Sequence, residues 1–380
     1  MHIAFLTPEY PNKNFTRSGG LGTSIYNLAI ALSKNGVRVS IIIPFQKETQ
    51  KLRNNNIDIY AIKLKKFTAF NWYFYKKHLQ RIINELCEKE RIDCIEGPDW
   101  TGIGTFINFK VPYVVRLNGS DSYFCHIEQR KQRYKNYWLE KKNFQKAHAI
   151  LSASDFTGVV TNQVFETSRQ ITTIYNSIDA SVFKPSNDVV TRPNQILYFG
   201  TLIRKKGVLD LAHAINELVK TGQEIQAIFL GKDVIDYKEK RSTKRLIVDI
   251  LSQEAEQVTT FLEEVPYNQV KSIIEESEVI CLPSYAEAFP MTWLESMALS
   301  KAMVTSDIGW AKEMMIDGET GFVVQPSSHK LMAQRIIQLL DNSDLRSKMG
   351  AMARERILHV FSTDVIIHTN LDFYKNLLNR

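Results

Sequence analysis

Residues 278–300 read EVICLPSYAEAFPMTWLESMALS. The apolar run at 278–282 does not alternate, so it predicts a strand covered on both faces. A proline-bearing loop follows, and then apolar residues at helical spacing. Pro290 fits the first position of that helix, where its missing N–H costs nothing. The same rhythm runs along the whole chain. Strands are expected at 2–7, 37–43, 57–62, 92–95, 112–117, 148–152 and 171–175. They recur at 195–200, 225–230, 258–262, 278–282, 302–305 and 321–324, with helical patterns between. Buried strands alternating with helices imply parallel sheets covered on both faces. The stretch 177–195, SIDASVFKPSNDVVTRPNQ, has two prolines and little periodicity, and reads as a linker. The expected fold class is therefore α/β, with two doubly wound parallel-sheet domains facing each other across a cleft.

Composition agrees. At 380 residues the chain is long for one core. A hydrophobic content of 44% with 23% charged residues is that of an ordinary soluble globular protein. No apolar run is long enough to span a bilayer. The opening MHIAFLTPEYP reads as a first strand rather than a secretion signal, which points to the cytoplasm. Cys87, Cys94, Cys125 and Cys281 form no CxxC pair, so reduced thiols are expected, and the histidines show no metal spacing. Charge is uneven: the first 180 residues carry 25 Lys+Arg against 15 Asp+Glu, and the remaining 200 carry 23 against 26. No nucleic-acid motif accompanies the basic half, so an anionic membrane surface or a phosphate-bearing acceptor fits it better.

Three loop-to-helix junctions carry candidate chemistry, because ligands of such sheets bind at the carboxyl ends of the strands. TRSGGLGTS (16–24) places Gly19, Gly20 and Gly22 before a helix, as an anion-binding loop or an ordinary turn. FGTLIRKKG (199–207) sets Arg204, Lys205 and Lys206 beyond a strand end, as a phosphate site or a solvated charge run. In EAFPMTWLE (287–295), N–H groups near residues 290–292 point out of the helix N-terminus, with Phe289, Pro290, Met291 and Thr292 around it. Glu295 lies roughly 7 Å further along, at ~1.5 Å per residue. The two glutamates are either surface acids or hydroxyl acceptors straddling a diphosphate, with a sugar and a ribose at its ends.

Together, SGGLG, FGTLIRKKG, EAFPMTWLE, IYNSIDASVF and ESMALSKAMVTSDIGWAKEMMIDGETGFVV resemble the family-4 retaining glycosyltransferases of the GT-B fold, along nearly the whole chain. The resemblance implies an acceptor-binding Rossmann-like domain at 1–178, a linker at 179–194 and a nucleotide-sugar-binding domain at 195–361. It also implies a terminal helix at 362–380 that crosses back to the first domain. It implies that Glu287 binds hydroxyls of the transferred sugar and Glu295 those of the ribose. Lys206 would hold the diphosphate, Gly19 and Gly20 would close over it, and backbone near Val265 would meet the nucleobase. Two positions depart from the family pattern. Thr201 stands where an arginine is usual, leaving Arg204 or Lys205 to supply the charge. Asn118, in RLNGSD, stands where histidine is frequent, so it can hydrogen-bond sugar or acceptor but cannot titrate.

The implied activity is retaining, metal-independent transfer of a hexose from a nucleoside-diphosphate sugar to a glycan or lipid-linked acceptor. Cell-surface polysaccharide assembly is the expected setting. Lys206, Glu287 and Asn118 are the candidate catalytic residues, and no cofactor or metal is expected. A nucleotide-sugar 2-epimerase and a weak sugar-nucleotide-binding subunit are the alternatives. Peripheral docking on an anionic membrane is expected through Arg130, Lys131, Arg133, Lys135, Lys141 and Lys142. Residues 71–86, NWYFYKKHLQRIINEL, read as a core-packed amphipathic helix, although their aromatic and basic content also suits a membrane interface. Gly97-Pro98-Asp99-Trp100 either lines the cleft or simply turns.

Overall fold

The structure, a computed structural model, describes residues 1–12, 15 and 19–379. The chain divides into two units: Met1–Ser177 with Thr363–Arg380, and Ile178–Ser362.

The first unit holds β1 (His2–Leu6), β2 (Arg38–Gln46), β3 (Gln50–Asn54), β4 (Ile57–Lys63), β5 (Cys94–Pro98), β6 (Tyr113–Leu117), β7 (Ala149–Ser152) and β8 (Thr172–Thr173). They form one sheet in the order β3-β4-β2-β1-β5-β6-β7-β8. Every residue of β1, β5 and β6 is buried, including the polar His2, Glu96 and Arg116. The sheet is parallel except at one edge, where β3 pairs antiparallel with β4. This strand was not expected, because QKLRN is too polar to show a period. The turn explains it: Asn55 and Asn56 have φ of 48° and 62°, the left-handed pair a two-residue hairpin demands.

Helix Thr363–Leu378 belongs to this unit. Its Ile366, Ile367 and Tyr374 join one core with Ile25, Ala29 and Leu32 of helix Gly20–Lys34 and with Ile3 and Phe5 of β1. A buried polar group locks it in place. The Tyr374 hydroxyl donates to Glu96 Oε2 at 2.6 Å, and Arg116 pairs with Glu96 at 2.7 Å and donates to Asn370 Oδ1 at 2.8 Å. Helix Asn71–Glu90 buries Tyr75, Leu79, Ile83 and Cys87, a four-residue stripe that packs on the sheet.

The second unit holds β9 (Gln195–Phe199), β10 (Gln226–Leu230), β11 (Thr259–Leu262), β12 (Val279–Leu282), β13 (Met303–Ser306) and β14 (Phe322–Val324). Their order is β11-β10-β9-β12-β13-β14, with parallel pairing throughout. Residues 179–194 are tied to this unit: Ser186 N–H donates to Glu275, Arg192 N–H to Glu276 O, and Arg354 reaches Phe183 O. Strand order reverses between β9 and β12 here, and between β1 and β5 in the first unit. Adjacent loops leave in opposite directions at such a point, and a crevice opens at the strands' carboxyl ends.

Candidate active site

The switch point of the second unit is built by two close backbone approaches. After β9 the chain passes Gly200 and enters a single turn, Arg204–Lys206, closed by Gly207 at φ 70°. A Cβ on Gly207 would lie 1.7 Å from Pro283 O, so only glycine lets this turn sit against the loop after β12. Tyr285 N–H then donates to Lys205 O at 2.7 Å, and Ala286 N–H to the same oxygen at 3.3 Å. With both loops pinned, Lys206 Nζ stands 3.1 Å from Glu287 Oε1. The lysine amine also lies over Gly200, 3.4 Å from where a Cβ would be.

Helix Met291–Ala298 starts beside this pair. Its cap is Pro290, with ψ 132°, so the proline precedes the first helical residue instead of occupying it as the sequence reading had it. The extended ψ makes Met291 the first residue with helical geometry. Its first-turn N–H groups have no intrahelical acceptor. The cap residue Pro290 offers no side-chain hydrogen bond, and no acid stands in the first turn. Phe289, Pro290 and Met291 are buried, Phe289 with its ring 5.4 Å from that of Phe361, whereas Thr292 is half-buried. Glu295 is buried under Tyr267, whose hydroxyl donates to Glu295 Oε1 at 2.8 Å. Burial pushes the Glu295 carboxyl up to about 7, opposed by the Tyr267 hydrogen bond and the charge of Lys206. The Tyr267 ring lies 5.8 Å from that of Phe183, tilted by 50°, and Val265 is half-buried two residues before it.

Lys206, Glu287, the helix end and Glu295 thus lie in one region of the second unit. Arg204 does not join them. Its guanidinium takes Asp236 at 2.8 and 3.1 Å, and Asp236 also accepts the N–H groups of Lys238 and Glu239. Arg204 therefore organises the loop after β10, and it does not supply the charge that Thr201 lacks. Thr201 is half-buried, and its carbonyl accepts from the Tyr198 hydroxyl at 2.8 Å.

In the first unit, part of the glycine-rich loop (Thr16, Arg17 and Ser18) lies outside the described residues. Gly19 caps helix Gly20–Lys34, and both glycines are exposed. Glu9 Oε1 accepts from Gly19 N–H at 3.2 Å and from Gly22 N–H at 2.9 Å, so a carboxylate of the chain itself takes the anion position at this helix end. Beyond β5, Asp99 is buried. Its Oδ1 accepts from Asn118 N–H at 3.0 Å, and its Oδ2 has no partner among the described residues. Burial raises it to about 7, and the nearby Glu140 adds to that. The Asn118 amide reaches Arg116 O at 3.4 Å.

A profile described as Glycosyl transferases group 1 matches residues 179–356, and one described as Glycosyltransferase Family 4 matches residues 18–182. The chain belongs to the family-4 glycosyltransferases. An uncharacterized glycosyltransferase of Methanocaldococcus jannaschii is 22% identical over 353 residues, 91% of each chain. The capsular polysaccharide biosynthesis glycosyltransferase CapM of Staphylococcus aureus is 24% identical over 185 residues, 48% of this chain and 46% of that protein. The solved structure of Anabaena HepE in complex with UDP-glucose superposes with a TM-score of 0.78 at 16% identity, covering 99% of this chain and 100% of the other. The two parallel-sheet units are therefore those of a GT-B glycosyltransferase.

Within this glycosyltransferase, Tyr267, Asp236 and Glu9 are placements the sequence reading missed. Each acts through a partner 10 to 32 residues away, and a local pattern carries no such information. Asp99 was noticed, but only burial separates its two readings.

Proposed function

We propose that the protein transfers a hexose, with retention of configuration, from a nucleoside-diphosphate sugar to a glycan or lipid-linked acceptor in cell-surface polysaccharide assembly. One observation carries the reading: an ammonium and a carboxylate stand 3.1 Å apart beside a helix N-terminus with no acid in its first turn, at the carboxyl ends of β9 and β12. The cation and the helix end suit a diphosphate, and the carboxylate suits sugar hydroxyls.

The steps follow from those charges. On donor binding, Lys206 exchanges Glu287 for phosphate oxygens, and Glu287 accepts from the hexose. Glu295 accepts from the ribose, with Tyr267 holding its second oxygen. The bond from the anomeric carbon to the β-phosphate oxygen breaks while the acceptor oxygen bonds to that carbon on the same face. The acceptor proton passes to the departing phosphate. Lys206 and the first-turn N–H groups take up the charge that develops there, so turnover is expected to persist in a chelator. Asn118 contributes a hydrogen bond to sugar or acceptor and carries no proton. The UDP-glucose bound by HepE and the capsular polysaccharide role of CapM support a UDP-hexose as the first donor to try.

The test offers UDP-, GDP- and ADP-sugars to the full chain and measures release of nucleoside diphosphate, with and without chelator. Lys206→Ala should lower turnover by about 10² or more, the loss expected when one group stabilising a leaving oxyanion is removed. The anomeric coupling in the product reports retention. Turnover unchanged in Lys206→Ala, or an inverted product, overturns the assignment.

A further inference from the structure

Two stretches of the first unit hold bases without acids. Residues 59–84 contain Lys63, Lys65, Lys66, Lys76, Lys77 and Arg81, and residues 129–139 contain Arg130, Lys131, Arg133 and Lys135, with no Asp or Glu in either. The fold brings their aromatic residues together at the N-terminal turns of helices Asn71–Glu90 and Tyr134–Lys146. Trp72 lies 5.2 Å from Phe106, and Phe106 lies 5.5 Å from Tyr73 and 5.6 Å from Trp138, ring to ring. Tyr73 touches Phe74, and Phe74 touches Phe67. Lysines stand over these rings: Lys135 5.1 Å above Trp72, Lys65 5.5 Å above Phe67 and Lys77 5.9 Å above Tyr73.

The edge of this cluster faces outward. Phe70 is 72% exposed, Trp72 40%, Phe74 44% and Tyr134 78%. Phe70 sits at φ 44°, a left-handed conformation that costs a bulky residue energy and turns it away from the core that Tyr75 and Leu79 join. Lys65, Lys66, Lys131, Arg133 and Lys135 of the same two stretches are exposed as well, with Lys65 and Lys135 over the cluster's rings. Such large contiguous apolar exposure marks an interaction surface.

We propose that this aromatic and basic face docks on an anionic lipid bilayer. Rings amphipathic enough for the headgroup region, ringed by long cations and free of acids, match the composition of an interfacial surface. A neutral glycan is the weaker fit, because it offers no counter-charge to the clustered cations. The surface also differs from the one expected from charge alone. Arg130 is spent on Glu128 and Asp121, each at 2.8 Å, and Lys141 lies 3.7 Å from Glu166. The docking face therefore centres on the start of helix Asn71–Glu90, and the aromatic rings supply the part of the attachment that salt does not screen.

The proposal stands apart from the transfer reading and is tested on the full chain. Co-sedimentation with phosphatidylglycerol–phosphatidylcholine vesicles is compared with phosphatidylcholine vesicles alone, at low and high salt. Binding is expected on the anionic vesicles, falling with salt but not to zero. The variant Phe70→Ser/Trp72→Ser/Phe74→Ser should lose about tenfold or more in affinity, and Lys65→Gln/Lys66→Gln/Lys135→Gln should lose the preference for anionic lipid. Brominated lipid chains should quench tryptophan emission of the native chain more than that of Trp72→Phe. Unchanged circular dichroism and vesicle-free donor turnover in both variants show that the fold and donor chemistry survive. Equal vesicle binding by native chain and variants, no binding at all, or retention on soluble polysaccharide in place of vesicles overturns the proposal. A chain that binds vesicles but turns over no donor refutes the transfer reading alone.

Discussion

Glu295 enters the site as a buried carboxyl that accepts the Tyr267 hydrogen bond. Burial raises it to about 7 when nothing is bound, so it takes up a proton near neutral pH. Ribose hydroxyls donating to this group favour its ionised form, so nucleotide binding should expel a proton. The sign follows: affinity for free nucleoside diphosphate rises with pH up to about 7 and then levels. Isothermal titration in two buffers of different ionisation enthalpy measures the proton directly. Glu295→Gln should bind more weakly and flatten the profile. Tyr267→Phe removes a hydrogen bond that favours the ionised carboxylate, so it should move the inflection upward. A profile unaltered in Glu295→Gln would remove this residue from the ribose role.

Gly207 shows how a short element sets the position of a charge. A side chain there meets Pro283 O at 1.7 Å in a backbone of φ 70°, so Gly207→Ala must push the turn Arg204–Lys206 away from the loop that carries Glu287. The left-handed strain alone costs on the order of 1–2 kcal/mol. Turnover should fall further than the loss of stability accounts for, since Lys206 is displaced, while Gly222→Ala, at φ 78° with open space around it, should cost stability only. The terminal helix offers a second test. Tyr374→Phe removes the hydroxyl from buried Glu96, and Arg116→Met leaves that carboxylate without its cation. The first should cost about 1–3 kcal/mol and the second about 3–5 kcal/mol, read from denaturant midpoints. Equal costs would mean that the Glu96 charge is satisfied by other groups.

Across both units, two buried carboxyls oppose the usual pH dependence of folding. Asp99 and Glu295 rise from ordinary values of 3.8 and 4.5 to about 7. Unfolded, both lose their protons near pH 4; folded, they keep them until about 7. Stability from these groups is therefore full in acid, declines as pH rises through 4 to 7, and stays low above. At about 1.36 kcal/mol per unit, each burial costs roughly 3–4 kcal/mol at neutral pH, an upper bound. Thermal melts of Asp99→Asn/Glu295→Gln should decline less between pH 5 and 8 than those of the native chain. Since the groups lie in different units, single variants should shift separate transitions if the units melt apart. Parallel slopes in all variants would contradict the buried state of both groups.

How far reading alone reached follows from where each interaction lies along the chain. Largely apolar runs at 39–43, 113–117 and 279–282 are local, and a run that does not alternate fits a strand buried on both faces, so the two parallel sheets were legible. EAFPMTWLE was legible for the same reason: within one loop and one helix, spacing fixes where two carboxylates stand relative to an N-terminus. Lys206 was singled out only through the family resemblance, since the residues alone offered three cations. What folding adds is that Asp236, 32 residues from Arg204, captures that arginine, and that Gly207 meets Pro283. The polar strand Gln50–Asn54 has no period to read; only pairing with β4 makes it a strand. The raised pKa of Glu295 and the aromatic face at Trp72 likewise arise from neighbours brought together by folding. Periodicity describes what one segment buries, whereas charge state, choice of cation and surface patches depend on contacts between segments distant in sequence, which exist only once the chain has folded.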